Sequence, residues 1–282
     1  MTSPPRRFVQ LCEARSGSTF LISLIGSHPC VHHVDEELTG PLGHALRFAN
    51  DTHDAIFAAA ERRAATRTVH PNCSDGILRI GGKVHLEHAN VRIFNGSRLE
   101  EPRLARLLAL LGSSTPPVPL ILLLRNNSLD QFLSTHMRTQ PGVVTVSGPN
   151  LPQHCTASGS SAAQCARQPR VRIDDIARLV SMMRGRAARH AALRAALPAL
   201  ARERGVPLLL VRYEDASREP ISLMTKLVYP FLGLPPAPAA PRTPFVKRIT
   251  LRHRQLISNY EAVASALQAQ GLGYYLRDEL YT

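Results

Sequence analysis

Apolar residues along this chain fall into two kinds of run. Short, nearly continuous runs lie at residues 8–12, 120–124 and 208–211. They have the length of strands, and a strand that is apolar throughout is buried on both faces, as in a parallel sheet covered by helices. Longer stretches repeat at helical spacing. Leu99, Leu104, Leu107, Leu108 and Leu111 form one stripe, and Ile176, Leu179, Val180, Met183, Ala187 and Leu193 another. The pattern predicts strands at 7–12, 82–85, 120–124 and 208–211. It predicts helices at 18–27, 39–65, 99–111, from 128 onward, and at 174–200, 221–232 and 256–270.

Breakers agree with these limits. Pro29 ends the first helix, Pro116, Pro117 and Pro119 end the stripe at 99–111, and Gly233 and Pro235 stop the helix at 221–232. Ser128-Leu129-Asp130-Gln131 reads as a capping box that starts a helix at Ser128. Residues 141–170 show the least periodicity and carry Pro141, Pro149, Pro152 and Pro169, the mark of a functional lid or an insert. Strands alternating with helices imply an α/β fold in three layers, a central parallel sheet flanked by helices, in a single domain over 1–282.

Composition narrows the class. Apolar residues make up 44% of 282, enough for a core, which excludes global disorder. The net charge is +13, and only Lys83, Lys226 and Lys247 among the basic residues are lysines. A basic surface suits anionic ligands, acidic glycans or nucleic acid. Aromatics are only 5%, with no Trp, which weighs against a nucleic-acid platform of stacked rings. No apolar run reaches the length of a membrane span, and no secretory leader follows Met1–Arg7. The expected compartment on that ground is the cytoplasm, or an oxidising lumen such as the Golgi if an anchor precedes this stretch. Five cysteines leave at least one unpaired. Cys155 and Cys165 could form a local disulfide or remain thiols, and Cys12 and Cys30 read as small apolar residues near the core. No CxxC pair suggests structural zinc.

The chemistry concentrates in Glu13-Ala14-Arg15-Ser16-Gly17-Ser18-Thr19. A strand, a tight loop with a glycine, hydroxyls and a cation, then a helix start make an anion cradle, because loop N–H groups and the helix dipole point the same way. The loop lacks the Gly-Lys-Ser/Thr of a Mg-ATP P-loop. A second cation, Arg125, stands at the C-terminal edge of a buried strand, where open α/β sheets bind ligands. Ser134 follows nine residues later on a helix, and a guanidinium and a hydroxyl can close on one phosphate. Arg125 could equally pair with a carboxylate such as Asp130.

Arg15-Ser16-Gly17-Ser18-Thr19, then Leu24 and His28-Pro29, resembles the 5′-phosphosulfate loop of sulfotransferases that use 3′-phosphoadenosine 5′-phosphosulfate (PAPS). The nearest likeness is to carbohydrate sulfotransferases and bacterial trehalose-type enzymes. Val211-Arg212-Tyr213-Glu214-Asp215, Phe231-Leu232-Gly233-Leu234-Pro235 and Gly81-Gly82-Lys83-Val84-His85 resemble further segments of that family. The resemblance implies a P-loop-like sulfotransferase architecture and no metal. It implies a donor held by Arg15, Ser16, Gly17, Ser18 and Thr19 at its 5′ end and by Arg125 and Ser134 at its 3′-phosphate. Lys247 and Arg248 would close a late loop over the nucleotide. The acceptor would be a hydroxyl, on a glycan or small sugar, with no nucleic-acid partner.

In-line transfer needs the leaving phosphate to be met by donors and the hydroxyl proton to reach a base. Arg15 and the loop N–H groups fit the first task. At the spacing where the resembling enzymes carry an acid stands Glu36, the candidate base, with Glu37, His85 and His33 as alternatives. The competing function is a P-loop-type kinase of nucleotides or small molecules. The missing Lys, and a strand at 120–124 that ends in Arg125 rather than Asp, count against it.

Overall fold

The computed structural model describes residues 7–34, 57, 61, 71, 73, 79–86, 93–94, 98–99, 102–136, 143–147, 155–156, 162, 165, 169–246 and 251–277. The chain forms two compact units, Met1–Leu124 with Arg189–Thr243, and Arg125–Ala188 with Pro244–Thr282.

The first unit holds a five-stranded sheet. Its strands are β1 (Arg7–Cys12), β2 (Val31–Val34), β3 (Arg79–His85), β4 (Leu120–Leu124) and β5 (Leu208–Arg212). Their order is β5-β4-β1-β3-β2, and every pairing is parallel. β1 is therefore central, with β4 on one side and β3 on the other. Its C-terminal end is where ligands enter open sheets of this kind.

Alternate residues of these strands feed two separate cores. Val9, Leu11, Leu120, Leu122 and Leu124 pack with Leu104, Leu107, Leu108 and Leu111 of helix α2 (Pro102–Gly112), and with Leu193 and Leu197. Phe8, Cys12, Ile121 and Leu123 pack instead with Leu21, Ile22, Leu24 and Ile25 of helix α1 (Ser18–Gly26). A side-chain period of two puts successive residues on opposite faces, so an unbroken apolar run dresses both. This is the three-layer parallel arrangement expected from the sequence.

The second unit contains helix α3 (Ser128–His136), the antiparallel pair Val144–Ser147 with Arg170–Ile173, the pair Cys155–Thr156 with Phe245–Val246, and the helix Tyr260–Ala269. Leu129, Phe132, Leu133, Val171, Ile173, Leu179, Met183, Val263 and Leu267 form its core. Helix α4 (Ile176–Glu203) contributes residues to both units.

Four expectations need correction. The cap of α3 is Asn127, whose Oδ1 accepts from the Asp130 backbone N–H at 3.1 Å. The helix does begin at Ser128, as expected, but Ser128 is its first residue and not its cap. Residues 31–34, for which the sequence pattern predicts no element, pair with β3 as the edge strand β2. The run at 221–232 does not stay α-helical: it contains a π-turn at Met224–Val228. Cys30 is not a free apolar residue but is bonded to Cys73 across 43 positions. Cys155 and Cys165 also form a disulfide, which leaves buried Cys12 as the cysteine outside both bridges. The expected helix at 39–65 lies almost entirely outside the described residues.

Candidate functional site

The loop after β1 is a compact, strained turn. Ser16 N–H donates to the Glu13 carbonyl at 3.3 Å, and Arg15 sits at φ 60°, the left-handed region. A non-glycine residue there costs about 1–3 kcal/mol and persists only where its surroundings over-determine it. Gly17 caps α1 at φ 87°, and its carbonyl takes the first helical bond, from Leu21 N–H at 3.0 Å. Glycine is required here twice over. A Cβ at Gly17 would lie 2.1 and 2.2 Å from Cδ2 and Cε2 of Tyr213. Tyr213 opens the short helix α5 (Tyr213–Arg218) directly after β5, so the Arg-Tyr-Glu-Asp segment acts on the loop through its aromatic ring. Gly17, unlike Arg15, therefore faces a wall as well as a backbone demand.

The first turn of α1 contains no acidic residue, so the unpaired N–H groups of the helix start keep their positive end unopposed. Two polar side chains of the sheet brace this turn from below. Parallel pairing sets Gln10 beside Lys83 and Cys12 beside His85. Gln10 Nε2 donates to the Ser18 carbonyl at 3.1 Å, and Lys83 Nζ donates to Thr19 Oγ1 at 2.8 Å. Lys83 is 1% exposed. A buried ammonium beneath an anion loop is the cation that an ordinary P-loop carries inside the loop itself. Here it arrives from the neighbouring strand. The preceding Gly81 belongs to the same design, since a Cβ there would lie 2.2 Å from the Phe8 ring on β1. Ser16 is fully buried and its Oγ makes no hydrogen bond, an orphaned donor that an oxyanion could satisfy.

Lys83 is the site residue that the sequence reading left out. It was visible as Gly-Gly-Lys, but only strand pairing reveals that it reaches Thr19. His85, one of the alternative bases, lies on the same face of β3, at the C-terminal edge beside the loop. Glu36, Glu37, Lys247 and Arg248 lie outside the described residues.

In the second unit Arg125 is nearly buried, and its Nη2 donates to Asp130 Oδ2 at 2.8 Å. The carboxylate pairing envisaged for Arg125 is therefore present. Asp130 is fully buried and its other oxygen meets His253 Nε2 at 2.8 Å, with His253 fully buried too. Arg125 is held rigid from one side of its fork, and a guanidinium has five N–H donors in all. Ser134, also buried, lies on α3 in the same unit. Two residues on, burial holds the His136 imidazole below its ordinary pKa, and the charges of Arg178 and Arg186 act in the same direction.

Among the described residues, no group of His, Cys, Asp and Glu is arranged to hold a metal. None of the described helices is long and apolar enough to cross a membrane.

No protein-family profile matches the chain, and no curated protein does either. Several solved structures resemble it, three sulfotransferases among them. A sulfotransferase from Alicyclobacillus acidocaldarius is 15% identical over 98% of this chain and 100% of its own, with a TM-score of 0.42. The sulfotransferase domain from the curacin biosynthetic pathway is 15% identical over 99% of this chain and 96% of its own, with a TM-score of 0.41. The sulfotransferase domain of the Synechococcus PCC 7002 olefin synthase is 14% identical over 82% of this chain and 74% of its own, with a TM-score of 0.34.

Proposed function

We propose that this chain is a PAPS-dependent sulfotransferase acting on a hydroxyl, most simply that of a carbohydrate. The observation that carries the reading is the loop Arg15–Thr19. It is built to cradle an anion, has no lysine of its own, and is served by the buried Lys83 ammonium at 2.8 Å from Thr19 Oγ1. The donor would supply an activated sulfuryl group on a 5′-phosphate, and the chain's residues do the rest. The loop N–H groups, Arg15 and Lys83 meet the charge that grows on that phosphate as the sulfuryl departs. Arg125 and Ser134 bind the 3′-phosphate, and Lys247 and Arg248 close over the nucleotide. Glu36 takes the acceptor's proton as its oxygen attacks sulfur. Electrostatic stabilisation of this kind requires no metal, because the sulfuryl carries less charge than a phosphoryl.

The test is a thermal-shift comparison. The product 3′,5′-ADP (PAP) should raise the unfolding midpoint, and ATP with Mg²⁺ should not. Lys83→Met and Arg125→Ala should each remove most of the PAP shift. Glu36→Gln should cut sulfuryl turnover by about 10²–10⁴-fold, the usual contribution of a general base, while leaving the PAP shift intact. Stabilisation by ATP-Mg²⁺ in place of PAP would refute the reading in favour of a kinase.

A further inference from the structure

Glu13 is out of place on charge grounds. It stands two residues before Arg15, at the mouth of a loop that the proposed function reads as an anion cradle, and it is 1% exposed. A buried carboxylate is costly unless each oxygen is matched. Both oxygens are matched from helix α4. Arg189 Nη1 donates to Oε1 at 3.0 Å, and His190 Nε2 meets Oε2 at 3.1 Å. The same residue's carbonyl receives the Ser16 N–H that closes the turn. The side chain therefore fixes the very peptide on which the loop folds back. The strained φ of Arg15 is bounded on the far side by Gly17 against Tyr213 and by Lys83 on Thr19. The Glu13 clamp bounds it on the near side.

We propose that Glu13 is a positioning residue of the anion loop, and that Arg189 and His190 of α4 set the loop's affinity through it. The identity of the nucleotide rests on the proposed function; the clamp itself does not. Its role depends on reach, since one side chain spans Arg189 Nη1 and His190 Nε2, and not on negative charge as such.

Two variants separate these properties. Glu13→Gln keeps the length and removes the charge: its amide oxygen can accept from Arg189 Nη1, and its NH2 can donate to His190 Nε2 once the imidazole proton sits on Nδ1. Glu13→Asp keeps the charge but shortens the reach by one methylene. Binding of inorganic pyrophosphate and of PAP to each full-length protein is measured by calorimetry, alongside the unfolding midpoint. Glu13→Gln should bind both ligands within about threefold of wild type. Glu13→Asp should bind both about tenfold more weakly, because small misplacements of a positioned group are costly. Unchanged affinities in Glu13→Asp, whatever its midpoint, would overturn the inference and leave Glu13 a purely structural residue. A large change in Glu13→Gln with none in Glu13→Asp would overturn it in favour of simple charge repulsion. A wild type that binds pyrophosphate but not PAP defeats the sulfotransferase reading, and the pyrophosphate series then decides the role of Glu13. A wild type that binds neither overturns both.

Discussion

Replacing Gly17 with Ala tests whether the loop is shaped by its neighbours as described. Two penalties are separable. The first is backbone: φ is 87°, and an alanine in the left-handed region costs about 1–2 kcal/mol. The second is steric: the new Cβ would lie 2.1 Å from Tyr213 Cδ2 and 2.2 Å from Cε2, distances that real Cβ contacts do not show. The ring cannot simply swing away, because Tyr213 is 6% exposed and packs in the core beneath α1. Overpacking of this kind costs about 1–3 kcal/mol. Gly17→Ala should therefore destabilise the protein by about 2–5 kcal/mol. In a Tyr213→Ala background only the backbone penalty survives, so the same substitution should cost about 1–2 kcal/mol. The difference is the coupling energy of a double-mutant cycle, read by urea unfolding of the four proteins at one temperature. An equal cost of Gly17→Ala with and without the ring would refute the claim that Tyr213 walls the loop.

Two further outcomes follow from the same geometry. His28 Nε2 donates to the Pro235 carbonyl at 3.0 Å while Nδ1 accepts from Cys30 N–H at 3.1 Å, a pattern that only the neutral ring completes. Burial accordingly holds its pKa below the ordinary value, and the Arg79 charge adds to this, against the raising effect of the Pro235 bond. Below about pH 6.5 the unfolded chain takes up a proton that the folded one refuses, so unfolding free energy should fall as pH drops from about 7 to 5. In His28→Gln the slope should shrink but not vanish, since His136 is shifted the same way; an unchanged slope would remove His28 from the account. The disulfides should differ in weight. Closing 43 positions at Cys30–Cys73 stabilises by about 4 kcal/mol in the chain-entropy account, and closing 10 at Cys155–Cys165 by about 2.7 kcal/mol. Denaturation of Cys73→Ser and Cys165→Ser should rank in that order, and the reverse order would show that loop length is not what matters.

The apolar runs made most of the first unit readable in advance. Strands at 7–12 and 120–124 stand where continuous hydrophobicity put them, and both are buried along almost their whole length. The run at 208–211 is a strand too, but it lies at the sheet edge with Leu210 43% exposed, so its continuous hydrophobicity does not mark the burial on both faces that the pattern predicts. β2 escaped notice because an edge strand tolerates the polar pair His32-His33. Local spacing also made the Arg15–Thr19 loop legible, while for Cys155 and Cys165 it left a disulfide and two thiols equally open. Lys83 beneath Thr19, Tyr213 against Gly17, Cys30 with Cys73 and Arg189 on Glu13 join residues dozens to nearly two hundred positions apart. No local pattern records such meetings, which depend on strand order and register.

The arrival of Lys83 from β3 makes the proposed anion site a discontinuous motif. Its shape, with Arg15, and its buried ammonium are encoded at separate places in the chain, the turn before α1 and a single position on the neighbouring strand. Substitution at position 83 can therefore tune the grip on an anion while the turn keeps its form. By the same token, grafting residues 13–19 onto another α/β sheet would carry the contour of the cradle without its buried ammonium, unless the adjoining strand were rewritten with it.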